Sequence, residues 1–364
     1  MICWVKSSVR FVSANKLLPI ALLLLTLPAC SSLDYYSQAI NGHFELLSRE
    51  KPIDDILADT NTPGELRQKL TLALKVRAFA SRELSLPDND SYTTYADLQR
   101  PFAIWNVVAT PAYSIEPQRW CYLFVGCLSY RGYFDKQEAL DLAQQLKQEG
   151  KDVIVSGAAA YSTLGWMDDP LLNTIVERSE TSMIGIIFHE LAHQVVYVDG
   201  DTEFNEAFAT AVEVEGLRRW YTSQDNLDVY TQFLQRKQYR HKIFSKMHAA
   251  REALKALYAR QVTNDEKQTG KQDVFRDLAQ WYRQWRKQHD YAGFDEWMNQ
   301  DLNNAHLALI ATYQEKVPNF LAALQSVNND MPQFFALVEK MAQMDKTARH
   351  DTLSQYRQTD YATH

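Results

Sequence analysis

The stretch His189-Glu190-Leu191-Ala192-His193 is the part of this chain best suited to chemistry. On a helix, residues four apart lie on one face, one turn from each other. Two imidazoles so placed can ligate one Zn²⁺, and the glutamate between them can act on water at that ion. A chance match to the pattern is expected in roughly one chain of this size in a hundred, so its surroundings decide its meaning.

Residues 182–198 are apolar on nearly every side, which predicts a buried helix. Histidine and glutamate buried there are costly without partners, and a metal would satisfy them. The alternative is a pair of core histidines with ordinary hydrogen bonds. A catalytic zinc also needs a third protein ligand and one open position. Asp199-Gly200-Asp201-Thr202 reads as a turn, with Asp201 or Thr202 able to cap a second helix. That helix carries Glu206 and Glu213, over an apolar stripe of Phe204, Ala207, Phe208, Ala211 and Val214. In an antiparallel hairpin, His193 and Glu206 each lie about 10 Å from Gly200 at ~1.5 Å per residue, and so stand level. Glu213 shares the face but sits about 10 Å further along. The expected ligands are therefore His189, His193 and Glu206. Glu213 is a supporting carboxylate or the alternative ligand, and Glu190 is the general base. Tyr161 is singled out as a donor to a developing oxyanion, its other role being packing. Asp168 and Asp169 could hold a substrate α-ammonium, although Asp169-Pro170 is equally a helix-start signal.

His-Glu-x-x-His followed by Asn205-Glu206-Ala207 resembles the gluzincin class of zinc peptidases, in which an Asn-Glu-Ala helix supplies the third ligand. Two departures stand out. The insert between the helices is shorter than in the best-known members, so Glu213 matches their count from the second histidine. Thr210 stands where thermolysin-like enzymes carry an aspartate that orients a histidine ligand. A likeness covering more of the chain, about residues 30–350, rests on Trp120 to Phe134, Gly165 to Leu172, the zinc motif and Phe204 to Thr210. These runs resemble a bacterial family of aminopeptidase lipoproteins. The resemblance implies a zinc-dependent peptidase, an aminopeptidase by the family's label, with peptide or protein substrates.

The N-terminus fits an exported protein. Lys6, Arg10 and Lys16 precede an apolar core, Leu17 to Leu27, too short for a comfortable membrane span. Leu27-Pro28-Ala29-Cys30 resembles the bacterial lipobox. It implies cleavage of residues 1–29, lipidation at Cys30 and a membrane anchor through that lipid; the alternatives are an ordinary signal cut near Ala29 or an uncleaved anchor. Ser31 and Ser32 imply the outer membrane if the source is Gram-negative, hence a periplasm-facing place in the cell envelope. In that oxidising compartment, Cys121 and Cys127 can form a disulfide if the chain turns at Gly126; otherwise they are reduced and face a core. The chain is 46% hydrophobic with net charge −7; removal of residues 1–29 leaves 35 basic and 45 acidic side chains, net −10. That balance argues against nucleic acid as a partner.

The elements that must position these residues form a mainly α protein with a small β-sheet, an α+β zincin-like core with added helices. Helices are expected over 33–49, from about 62 to 85, and 136–149; short strands over 104–108, 120–125 and 152–156. Residues 154–161, just before the zinc helix, could pair with substrate backbone as an edge strand or merely cover the core. Residues 30–225 form the catalytic region, and 226–364 a helical region packed on the same core. In the latter, 225–261 reads as one long helix or two, followed by helices over 272–288, 294–312 and 331–344. Tyr239, Arg240 and His241 could reach the site. Two functions other than an aminopeptidase remain open: an envelope quality-control endopeptidase or chaperone-like binding lipoprotein that takes misfolded outer-membrane clients, and a catalytically silent structural lipoprotein with a vestigial metal site.

Overall fold

The computed structural model describes residues 30–122, 126–163, 167–310 and 316–356; the expected leader 1–29 and the side chain of Cys30 lie outside the described residues. The chain opens with α1 (Cys30–Ser48), β1 (Glu50–Pro52), α2 (Ile53–Ala58) and α3 (Gly64–Leu84). Strands β2 (Thr94–Ala96), β3 (Ile104–Thr110), β4 (Trp120–Tyr122), β5 (Gly126–Leu128) and β6 (Arg131–Tyr133) follow. Then come α4 (Lys136–Gln148), β7 (Asp152–Ala158), β8 (Leu171–Leu172) and α5 (Asn173–Val176). The long helices are α6 (Glu180–Val195), α7 (Thr202–Ser223), α8 (Leu227–Tyr258) and α9 (Asn264–Arg286). Short helices close the chain: α10 (Asp295–Met298), α11 (Asn304–Leu309), α12 (Val317–Ser326), α13 (Met331–Ala342) and α14 (Lys346–Ser354). The protein is thus mainly helical with small sheets, as the sequence leads one to expect.

Three sheets occur among the described residues. β1 pairs antiparallel with β2, which pairs parallel with β8. β3 is the centre of the second sheet, antiparallel to β6 on one side and to β7 on the other. Its faces are both covered. Trp105, Val107 and Ala109 pack with Ala139 and Ala143 of α4, while Val108 and Ile154 pack with Ala305 and Ala308 of α11. That two-sided burial explains why β3 reads as a nearly continuous apolar run. β4 and β5 form a hairpin in which Cys121 faces Cys127, and the two are joined as a disulfide.

The largest core unites α3, α6 and α7 with α12, α13 and α14. Phe208 of α7 touches Phe320, Phe334 and Phe335 within it. A second core lies between α8 and α9, around Met247, Leu254, Phe275 and Tyr282. The described residues after 226 therefore serve more than one core: α8 and α9 share the second, α11 packs on the β3–β7 sheet, and α12 to α14 belong with the core that carries α6. α8 is a single helix. The segment 294–312, expected as one helix, is instead broken: α10 ends at Met298, and Asn303 caps α11 by accepting from the Ala305 N–H at 3.0 Å. α9 starts well before 272, because Thr263 and Glu266 close a reciprocal capping box.

Candidate metal centre

α6 begins at Ser179, whose hydroxyl accepts from the Ser182 N–H. Met183, Ile184, Ile187, Phe188, Leu191 and Ala192 bury its other faces, leaving His189, Glu190 and His193 for the site. The helix ends at Val195. Asn205 then fixes the return: its Oδ1 accepts from the Val198 N–H and its Nδ2 donates to the Val198 carbonyl, both at 2.8 Å. Gly200 takes the left-handed turn at φ +73°. Tight contact between α6 and α7 follows, because both helices present glycine. A Cβ at Gly216 would meet Phe188 Cδ2 at 2.6 Å, and one at Gly185 would meet Glu213 Cγ at 3.2 Å.

Three ligand-capable atoms converge across this hairpin. Nε2 of His189 and Nε2 of His193 are 3.2 Å apart. Glu206 Oε2 is 3.4 Å from the first, and its Oε1 is 3.5 Å from the second. Tetrahedral zinc with ligands at about 2.0–2.1 Å has donor–donor edges of about 3.3 Å, so this donor set fits the face of such a site. Among the described residues it is the one group of three or more His, Cys, Asp and Glu gathered closely enough for a metal.

Glu213 stands elsewhere. Its Oε2 lies 3.6 Å from Nδ1 of His189, on the opposite side of the ring from Glu206. The two carboxylates that the sequence ranked, Glu206 as the ligand and Glu213 as support or alternative, thus stand on opposite sides of the His189 ring. Glu206 faces the donors, and Glu213 holds the back of His189. Burial raises the Glu213 carboxyl, but the charges of Lys237 on α8, of neighbouring His189 and of Arg240 outweigh that and hold it down at about 2. Lys237 was not singled out from the sequence; its only signal is its place four residues after Phe233, which it covers at 5.3 Å. Tyr239, which was singled out, packs on Trp285, His289 and Tyr291 instead.

Burial pushes the Glu190 carboxyl up to about 7, opposed by His189 and reinforced by Glu206 and Asp169. That is the range in which a carboxylate exchanges protons near neutral pH. His193 is pushed down to about 4, by burial first and then by neighbouring His189. One turn after Glu190, Gln194 accepts from Asn89 Nδ2 at 2.8 Å and donates to Ser91 at 3.2 Å. The same 87–91 loop is tied to α3 by Arg77, which donates to the carbonyls of Pro87, Asn89 and Ser91.

Tyr161 is half-buried against Phe134 at 5.3 Å and His43 at 5.8 Å. Tyr197, 49% exposed, has its ring edge-on to His193, the ring centres 6.1 Å apart. Asp169 is buried; it accepts from the Ser162 hydroxyl at 2.8 Å and the Thr163 N–H at 2.9 Å, while Asp168 is exposed. The helix after Pro170 begins only at Asn173, so Asp169 staples the 162–163 loop rather than starting a helix. β7 is an edge strand over 152–158, and Asn303 donates to its Val153 carbonyl at 3.2 Å. Residues 159–161 lie beyond it, where Ala159 accepts from the Thr174 hydroxyl.

Neither a search of curated proteins nor one of solved structures returns a match. A family model described as "Putative aminopeptidase" matches residues 34–353. That span takes in the triad, Glu190, Glu213, Lys237 and the helices that pack against them, and the chain belongs to this family.

Proposed function

We propose that the chain is a zinc-dependent peptidase, working as an aminopeptidase and anchored in the bacterial cell envelope through a lipid on Cys30. The family gives peptide substrates. The observation that carries the zinc reading is the triangle of His189 Nε2, His193 Nε2 and a Glu206 carboxylate, with edges of 3.2–3.5 Å. His189, His193 and Glu206 would hold the ion, which would supply Lewis acidity toward water and the scissile carbonyl. Glu190 takes a proton from the attacking water and passes it to the leaving amine. Glu213, 3.6 Å from Nδ1 of His189, favours the tautomer with its proton on Nδ1 and Nε2 free to ligate. Burial of His193 keeps that ring neutral for the same task. A phenol steadies the oxyanion; Tyr197, resting on His193, is better placed for this than Tyr161. No helix among the described residues is long and apolar enough to cross a membrane.

Zinc content and hydrolysis of the mature protein test the assignment. Glu190→Gln is expected to keep zinc and lose about 10²–10⁴-fold in turnover. Glu206→Ala should lose zinc. Glu213→Ala should retain it with about 10–100-fold weaker affinity. Zinc retained in Glu206→Ala and lost in Glu213→Ala would hand the ligand role to Glu213. Equal cleavage of N-terminally blocked and free peptides would remove the aminopeptidase label and leave an endopeptidase. Absence of lipid labelling that depends on Cys30 would remove the anchor.

A further inference from the structure

Asp201 sits at the N-cap position of the helix that carries Glu206, yet its side chain makes no capping bond. It turns away, 1% exposed, to α14, the last helix among the described residues. Arg349 Nε and Nη2 each lie 2.9 Å from its Oδ2. His350 Nε2 lies 2.8 Å from Oδ2 and 3.0 Å from Oδ1, and Lys346 Nζ is 3.7 Å from Oδ1. Arg349 is itself 4% exposed. Its Nη1 donates to the carbonyls of Ala342 and Met344 at the end of α13, and its guanidinium lies 5.3 Å from the Phe204 ring centre. Glu203 joins the same cluster, 3.8 Å from His350 Nδ1 and 3.7 Å from Lys316.

A carboxylate buried to this degree is tolerable only with such partners, and loss of one leaves an uncompensated charge. The side chain that would ordinarily secure the helix start is committed to α14 instead. The first turn of α7 is therefore held from two sides. Asn205 binds it back to Val198 at the end of the zinc-helix segment, and Arg349 with His350 fastens Asp201 and Phe204 to the C-terminal helix. Glu206 lies one turn further on. Ligand carboxylates tolerate displacement of only about 0.5 Å, so whatever sets the start of α7 sets the third ligand.

Building on the zinc reading above, we propose that Arg349 and His350, acting through Asp201, are positioning residues of the metal centre: the C-terminal helix sets how far Glu206 advances toward His189 and His193. The test uses the full mature protein and zinc itself. Three variants are compared with wild type: Arg349→Met, Asp201→Asn, and the two combined. Zinc affinity is measured by chelator competition, the ligand field by the visible spectrum after Co²⁺ loading, and folding by thermal unfolding in the presence of chelator. Each single variant is expected to weaken zinc binding about tenfold or more and to shift the Co²⁺ bands, with far-ultraviolet circular dichroism unchanged at 25 °C. The double variant leaves no lone buried charge, so it should regain thermal stability relative to the single variants without regaining zinc affinity. It also carries the test should a single variant fail to fold. Variants that melt lower but bind zinc as wild type does would reduce the cluster to a structural brace and overturn the proposal. A wild-type protein that takes up no zinc would overturn the zinc reading and this proposal together.

Discussion

At the scale of single residues, the site is a set of carboxylates given different tasks by their surroundings. Glu190 is pushed up by burial, while Glu213 is held at about 2 against the same burial by Lys237 and His189. His189, Glu190 and His193 were legible at once, because their spacing on a helix leaves little other use for them. The sequence ranked Glu206 above Glu213 as the third ligand, from the levels of an expected hairpin. The two glutamates are seven residues apart, and only the packed pair of helices shows that they reach opposite nitrogens of one imidazole. Lys237 was not legible, since most lysines on helices are solvated. Asp201 offers a prediction at this scale. Burial raises its carboxyl, but hydrogen bonds from His350 and Arg349 outweigh that and hold it below its ordinary value. A depressed folded-state pKa contributes stability that is full above the unfolded value of about 3.9 and is lost as pH falls through the lower folded value. Melting temperature between pH 6 and 2.5 is therefore expected to fall more steeply in wild type than in Asp201→Asn. Parallel curves would show that Asp201 contributes nothing to acid sensitivity.

At the scale of elements, α6 and α7 must touch closely for Glu206 to reach the histidines, and glycines make the contact possible. A Cβ at Gly216 would enter space occupied by Phe188 Cδ2 at 2.6 Å and Leu84 Cδ1 at 2.9 Å. Gly216→Ala should thus lower stability by about 1–3 kcal/mol, despite alanine's better helix propensity. Urea titration checks this; a more stable variant would mean that the aromatic ring yields without strain. Helix ends show where local reading works and where it does not. The capping box of α9 is written plainly as Thr263-Asn264-Asp265-Glu266. The break between α10 and α11 is not. Asn304 there is fully buried, its amide donating to the Ala112 carbonyl at 2.9 Å and its N–H to Asp152 at 2.8 Å. Those partners are more than 150 residues away, so a helical pattern over 294–312 gives way to them.

At the scale of the whole molecule, the C-terminal helices are part of the core beneath the site. Phe320 of α12 packs on Phe204 at 5.1 Å and on Phe208 at 5.8 Å. Phe320→Ala is expected to cost about 3–5 kcal/mol. A fragment of residues 30–225, which keeps every expected ligand, should not fold cooperatively; a sharp unfolding transition in that fragment would show that α12–α14 are dispensable. The sequence by itself determined the local chemistry: a helix with His189, Glu190 and His193 on one side, a second helix bearing Glu206, and a mainly α architecture with short strands. Periodicity and spacing suffice there, because side chains one turn apart meet whatever else the chain does. The tertiary structure alone decided that Glu213 stands behind His189 at Nδ1, that Lys237 neutralises that carboxylate, and that Arg349 and His350 bury Asp201. Those relations join residues from 24 to about 150 positions apart, and no local preference encodes them. They arise when buried charges, once taken from water, can be satisfied only by the partners that packing brings to them.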